Sequence, residues 1–214
     1  VALNLKIIIG STRETRSAEA VAPFVERVAR AHGDFDVEVL DLRDWPLPLF
    51  QEHAGTILDI SNPTYSEPIV KAWNDKIKEA DAFIFVTPEY NYAIPGVLKN
   101  AIDNVFLSYG FRNKPVLPVA YSVGAVGGAR AVLSLTSIAL ETEMHLLRMA
   151  VLIGNVGQAF EDGEPINPAT RATLDVGLED LAWWGSALKT ARVNGQHLPG
   201  NARVQARLQP AAMR

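Results

Sequence analysis

Three short segments of this chain gather residue types that do chemistry. The first reads Gly10-Ser11-Thr12-Arg13-Glu14-Thr15-Arg16-Ser17. It joins an apolar run to a helical pattern, so backbone N–H groups and the positive end of a helix are available to an anion. Ser11, Thr12, Thr15 and Ser17 add hydroxyls, and Arg13 and Arg16 add guanidinium forks suited to phosphate. A Walker lysine and a dinucleotide glycine triplet are both missing, which favours a terminal monophosphate over a pyrophosphate. The plainer reading is a capped, polar turn. The second segment is Thr87-Pro88-Glu89-Tyr90-Asn91-Tyr92-Ala93-Ile94-Pro95-Gly96. Its prolines fix the backbone, and an aromatic ring ligand could lie against it; the plainer reading is a rigid turn whose tyrosines cover the core. The third, Tyr121-Ser122-Val123-Gly124-Ala125-Val126-Gly127-Gly128, has three glycines before a helix and permits close approach to a planar ligand. A flexible connector is its plainer reading. Three such loops at one sheet edge say more than any one alone.

The elements that must position these loops alternate along the chain. Leu5 to Ile9, Val37 to Leu40, Asp81 to Val86, Pro115 to Tyr121 and Met149 to Ile153 are short continuous apolar runs. They read as strands covered on both faces. Between them lie helical stripes: Ile69, Val70, Trp73, Ile77 and Ala80; Val97, Leu98, Ala101, Ile102, Val105 and Phe106; Val132, Leu135, Ala139 and Leu146. A last stripe, Leu174 to Leu188, starts with Asn167 as N-cap and Pro168 at the first helical position. Val21, Val25 and Val28 mark a first helix that Pro23 should delay or kink. Five βα repeats with right-handed crossovers predict an α/β fold, a three-layer sandwich around a five-stranded parallel sheet in the flavodoxin-like order 2-1-3-4-5. Ligands of such sheets bind beyond the carboxyl ends of the strands, where all three loops fall. Residues 1–192 form the domain, and 193–214 a mobile tail or exchanged arm. Residues 42–67, with Trp45-Pro46-Leu47-Pro48-Leu49-Phe50, form a long connection with little periodicity.

Composition narrows the function. The 214 residues carry a formal charge of −4 and no basic block before the C-terminal tail, which speaks against nucleic-acid binding. There is no cysteine, so thiolate metal sites, iron–sulfur clusters and a cysteine nucleophile are excluded. His32, His53, His145 and His197 lack ligand spacing. With no membrane-length apolar run and no leader-like start, a cytoplasmic protein is expected.

The motifs Gly-Ser-Thr-Arg-x-x-Arg-Ser, Pro-Glu-Tyr-Asn-Tyr with Leu98-Lys99-Asn100-Ala101-Ile102-Asp103, and Ser-x-Gly-x-x-Gly-Gly resemble the NAD(P)H-dependent FMN reductase family, which includes quinone, azo-dye and chromate reductases. The resemblance runs from about Leu5 to Val156. It implies bound FMN, NAD(P)H as co-substrate, a small-molecule electron acceptor and a homodimer or homotetramer. Carried over by position, Ser11, Thr12, Arg13, Arg16 and Ser17 surround the FMN phosphate. Pro88, Glu89, Tyr90 and Asn91 line the isoalloxazine, with Tyr92 as an aromatic wall, and Ser122, Val123 and Gly124 take its other edge. Many members carry Ser-Phe-Asn at the phosphate helix, where this chain has Arg16-Ser17-Ala18. The resemblance implies a ping-pong hydride transfer that needs no protein nucleophile, because the flavin carries the chemistry. Trp45 and Phe50 are either further aromatic walls or core. The rival reading is a flavodoxin-type electron carrier, against which the two arginines argue; a flavin-free regulatory or scaffold protein is the third.

Overall fold

A computed structural model describes residues 2–59 and 62–208. Four parallel strands form the body of the sheet: β1 (Leu3–Ile9), β2 (Phe35–Asp41), β3 (Ala82–Pro88) and β4 (Pro115–Tyr121), ordered β2-β1-β3-β4. The fifth position is shared by β5 (His145–Leu146) and β6 (Val151–Ile153), both parallel to β4. The order is the flavodoxin-like 2-1-3-4-5 expected from the sequence.

Alternation along β1 shows how the strands serve two cores. Leu3, Leu5, Ile7 and Ile9 face one helical layer and Ile8 the other. The first layer holds α1 (Ala18–His32) and α6 (Pro168–Val193). The second holds α3 (Pro68–Glu79), α4 (Gly96–Asp103) and α5 (Ala129–Glu141), with the four-residue α2 (Ala54–Ile57) in the long connection. Asn167 caps α6 as its sequence predicts, accepting from the Ala169 N–H at 3.0 Å, with Pro168 following. Helix α1 starts at Ala18 and runs through Pro23, so the proline does not delay it.

The fifth strand departs from the run Met149–Ile153. Leu146 pairs with Val116 and Val151 with Val119, so the edge strand holds four residues where β4 holds two. This is a bulge of two extra residues, of the sort that sheet edges tolerate. Its cause lies in β4. Val116 and Ser122 both bond toward the edge strand, so alternation turns the Pro118 nitrogen the same way. Proline has no N–H to give there, and the ladder opens opposite it. Leu146, expected in the helical stripe after β4, lies in β5 because α5 ends at Glu141. A short hairpin, β7 (Phe160–Glu161) with β8 (Glu164–Pro165), follows.

The long connection is packed down rather than loose. Trp45 meets Trp73 edge-on at 5.1 Å, and Asn100 takes both the Pro48 carbonyl, at 2.9 Å, and the Phe50 N–H, at 2.9 Å. Asn104 adds a second donor to Pro48 at 3.0 Å. Trp45 is therefore core, while Phe50 is partly exposed. Beyond α6, Arg112 and Asn113 bond residues His197 and Gln196, and α7 (Gly200–Leu208) buries none of its residues. No described helix is long and apolar enough to cross a membrane.

Candidate functional site

The three loops meet at the carboxyl edge of the sheet. In the first, the chain leaves β1 at Gly10, whose N–H bonds the Val86 carbonyl at 2.8 Å. From there the backbone donors go unused. Among the described residues, no N–H from Ser11 to Thr15, nor those of Ser17 and Ala18, donates a hydrogen bond within the protein. The carbonyls of the same stretch are claimed from the other side. Arg43 donates to the carbonyls of Arg13 and, at 2.9 Å, Glu14, and also bonds Glu19 at 2.8 Å. A loop with its carbonyls tied back and its N–H groups free, at the start of a 15-residue helix, has donors to offer an anion.

Arg16 is where the structure differs from the sequence reading. Its guanidinium is buried and engaged by groups within the protein. It holds Asp41 through two bonds of 2.6 and 2.5 Å, the Ser11 carbonyl at 2.6 Å and Glu19 at 2.9 Å. The hydrogen bonds that Arg16 donates to Asp41 raise its pKa further above the ordinary value. Burial pushes the Asp41 carboxyl up, but the bonds from Arg16 and Arg43 outweigh it and leave Asp41 below the carboxylate range. Arg16 is thus a strut between the loop and β2. Arg13 remains exposed, with its guanidinium 5.7 Å from the Tyr90 ring. Ser11 is buried and shares a hydrogen bond of 2.9 Å with the Tyr90 hydroxyl, which ties the first loop to the second. Thr12 is exposed, and Ser17 sits at the N-cap position with its side chain making no capping bond.

In the second loop Tyr90 and Ala93 exchange backbone bonds of 2.9 and 3.0 Å around Asn91 and Tyr92. Both central residues have left-handed backbones, φ 49° and 69°. That is a type I′ turn, which asparagine tolerates and a tyrosine adopts only under strain. Tyr92 is held there by Arg130, whose guanidinium stacks 3.9 Å from its ring. Arg130 in turn pairs with Glu89 at 2.5 Å, and its own N–H reaches the other Glu89 oxygen at 3.1 Å. The Glu89 carboxylate is consequently buried as a strut, while its N–H bonds the Tyr121 carbonyl. Pro88 closes β3 and is buried.

The third loop leaves β4 with Ser122 bonded to the Ile153 and Gly124 carbonyls through its N–H and hydroxyl. Val123, Gly124, Ala125 and Val126 are exposed, and their N–H groups make no bond among the described residues. Gly128 has φ 85°, and a Cβ there would sit 2.7 Å from the Ala120 Cβ. The tight return of this loop onto β4 therefore requires glycine.

Sequence reasoning passed over Asp41, Arg43, Glu19, Arg130 and Tyr121. The first two stand at the carboxyl end of β2, a position that could have flagged them. Tyr121 ends β4 almost fully buried, and its hydroxyl has no hydrogen-bond partner.

Comparisons with known proteins identify relatives of this chain. Residues 3–158 match the family model described as NADPH-dependent FMN reductase. An NAD(P)H-dependent FMN reductase of Schizosaccharomyces pombe is 38% identical over 133 residues, covering 62% of this chain and 64% of that protein. A quinone reductase of Pseudomonas putida is 31% identical over 185 residues, covering 85% of this chain and 94% of that protein. In fold, the flavoenzyme NAD(P)H:acceptor oxidoreductase FerB of Paracoccus denitrificans superposes with a TM-score of 0.70 at 21% identity, covering 87% of this chain and 98% of FerB.

Proposed function

Because the chain belongs to the NADPH-dependent FMN reductase family, we propose that its three loops hold FMN and pass two electrons from NAD(P)H to a small acceptor. It is an FMN-dependent oxidoreductase whose relatives include FMN and quinone reductases. Bound FMN supplies the hydride acceptor; the protein supplies position and electrostatics.

The observation that carries the assignment is the run of free N–H groups between Ser11 and Ala18. A phosphate there would take those donors together with the Thr12 and Ser17 hydroxyls and the Arg13 guanidinium. Arg16, Asp41 and Arg43 would keep the loop open without touching it. Tyr90, Asn91 and Tyr92 would border one side of the isoalloxazine. Ser122, Val123 and Gly124 would present backbone donors to its edge. Strain at Tyr92 supports a functional role, since such outliers persist where surrounding contacts over-determine them.

The acceptor belongs to the planar or compact class: free flavin, quinone, azo compound or metal oxyanion. Support comes from the apolar rim, where Tyr92 is 69% exposed and Val123 84%. An exposed flat apolar wall suits a planar acceptor that must enter and leave. Exposed Leu133 and Leu140 on α5 support a homodimer or homotetramer, as sedimentation at micromolar concentration would show; a monomer near 23.3 kDa would refute it. Reliance on reduced nicotinamide fits a cytoplasmic site of action.

Reconstitution with FMN, followed by anaerobic addition of NADH or NADPH, tests the whole reading. One flavin per chain should bind, and its visible absorbance should bleach on reduction. A protein that binds no FMN would end it.

A further inference from the structure

Tyr121 is large, 2% exposed and placed at the end of β4, yet its hydroxyl meets no donor or acceptor among the described residues. A buried hydroxyl without a partner is costly, and a phenylalanine would fill the same space without that cost. The side chain packs in the core layer that contains α1. The charged and polar groups that act on its proton are Tyr90, Arg16, Glu19 and Arg13. All four belong to the first loop, the start of α1, or the tyrosine that Ser11 ties to that loop. Burial pushes the phenol further up from its ordinary value, so at neutral pH the group is a donor.

We infer that Tyr121 is an anion ligand at the floor of the first loop, donating its hydroxyl to the phosphate of bound FMN. The inference rests on the FMN reading above and deepens it. Free N–H groups of residues 11–15, 17 and 18 line the loop, and an unpartnered donor lies at the end of β4, two strands from β1 and in the same core layer as α1. Arg13, Arg16 and Glu19 all act on that donor, which sets it on the loop's side of the sheet. Serving the phosphate rather than the ring, Tyr121 would favour FMN over riboflavin, which lacks that group. Tyr121 is therefore a binding residue for the cofactor, outside the three ring- and phosphate-lining sets recognisable from motifs.

The test is Tyr121→Phe, with the apoprotein titrated against FMN and riboflavin by flavin fluorescence. FMN affinity should fall by about tenfold to a hundredfold, the scale of one lost hydrogen bond to a charged group, while riboflavin affinity stays unchanged. The apoprotein should melt at the same temperature or roughly 2–4 °C higher, because an unsatisfied buried hydroxyl has been removed. Stabilised apoprotein with weakened FMN binding is a pairing that a purely structural tyrosine would not produce. Unchanged FMN affinity would overturn the inference, as would equal losses for FMN and riboflavin, which would move the hydroxyl to the sugar chain or ring. A marked loss of apoprotein stability would also overturn it, since the hydroxyl would then have a partner in the protein. Wild-type protein that binds neither flavin would instead bring down the FMN reading itself.

Discussion

Arg16→Met separates a strut from a ligand. The methionine keeps most of the apolar stem and removes the guanidinium. Four hydrogen bonds go with it: two to Asp41, one to the Ser11 carbonyl and one to Glu19. The Arg16 side chain is 5% exposed and Asp41 20%, so the carboxylate is left partly buried with only the Arg43 N–H, at 3.0 Å, for compensation. Removing one partner of a buried pair costs about 3–5 kcal/mol, and the residual exposure of Asp41 sets the expectation at about 3 kcal/mol. For a chain of this size that is a drop of roughly 6–12 °C in melting temperature. The pH dependence has a definite sign. Asp41 has a folded pKa below its unfolded value, so the stability it contributes is present above the unfolded pKa and lost as pH falls through the folded one. The gap between wild type and variant should therefore narrow below about pH 4. Urea unfolding of the apoproteins measures it, with Asp41→Leu and the double variant completing a cycle that should show coupling of about 2 kcal/mol or more. A stability change under about 1 kcal/mol, with FMN affinity falling a hundredfold, would refute the strut and return Arg16 to the phosphate.

Arg13→Ala should weaken FMN binding by about 1–3 kcal/mol and riboflavin binding far less, as measured by fluorescence titration, if its exposed guanidinium pairs with the phosphate as proposed. Tyr92→Gly should stabilise the apoprotein by roughly 1 kcal/mol by releasing a left-handed tyrosine, and should raise KM for a quinone by removing the aromatic wall; a destabilised variant would show that the stack on Arg130 outweighs the strain. Lys114, buried with its ammonium on the Ile77 and Lys78 carbonyls at 2.7 and 3.0 Å, has its pKa pushed down to about 7 by burial. From pH 7 to 10 the unfolded chain then binds more protons than the folded one, so this residue alone raises stability with pH by up to about 1.4 kcal/mol per unit; Lys114→Met should lose that slope in urea titrations, and parallel slopes would contradict the assignment.

What the sequence made legible follows from the range of the forces involved. Continuous apolar runs and helical stripes report burial directly, so strand order and layers were readable from Leu5 to Tyr121. The first loop was readable as a polar turn between a strand end and a helix start, because those elements follow one another in sequence. The partners of its side chains were not. Arg16 and Arg13 look equivalent in sequence, three residues apart, yet Asp41 lies 25 positions from Arg16 and is brought to it only by the β1–β2 pairing. Glu89 and Arg130 are 41 positions apart, and their meeting depends on how the second and third loops fold back. The bulge opposite Pro118 was hidden for the same reason: a proline's missing donor matters only once its neighbour strand is known.

The structure also moves the electrostatic argument for two-electron chemistry. Two arginines in the first loop suggested a field that favours negative charge on a bound ring. In the fold Arg16 is answered by Asp41 and Glu19, and Arg43 shares Glu19 and turns its other bonds to carbonyls. Little net charge is left to act at a distance; Arg13 alone keeps an open guanidinium. What remains near the loop is oriented dipoles, whose influence fades within a few ångströms and so reaches the phosphate rather than the ring. Any preference for charge on the ring must then come from groups that touch it. In the proposed site the free N–H groups of Val123 and Gly124 would serve this, since backbone donors strengthen as an acceptor edge gains negative charge and need no rearrangement to do so. On the proposed site, the third loop, the least distinctive of the three in sequence, would be the one that separates a reductase from a carrier.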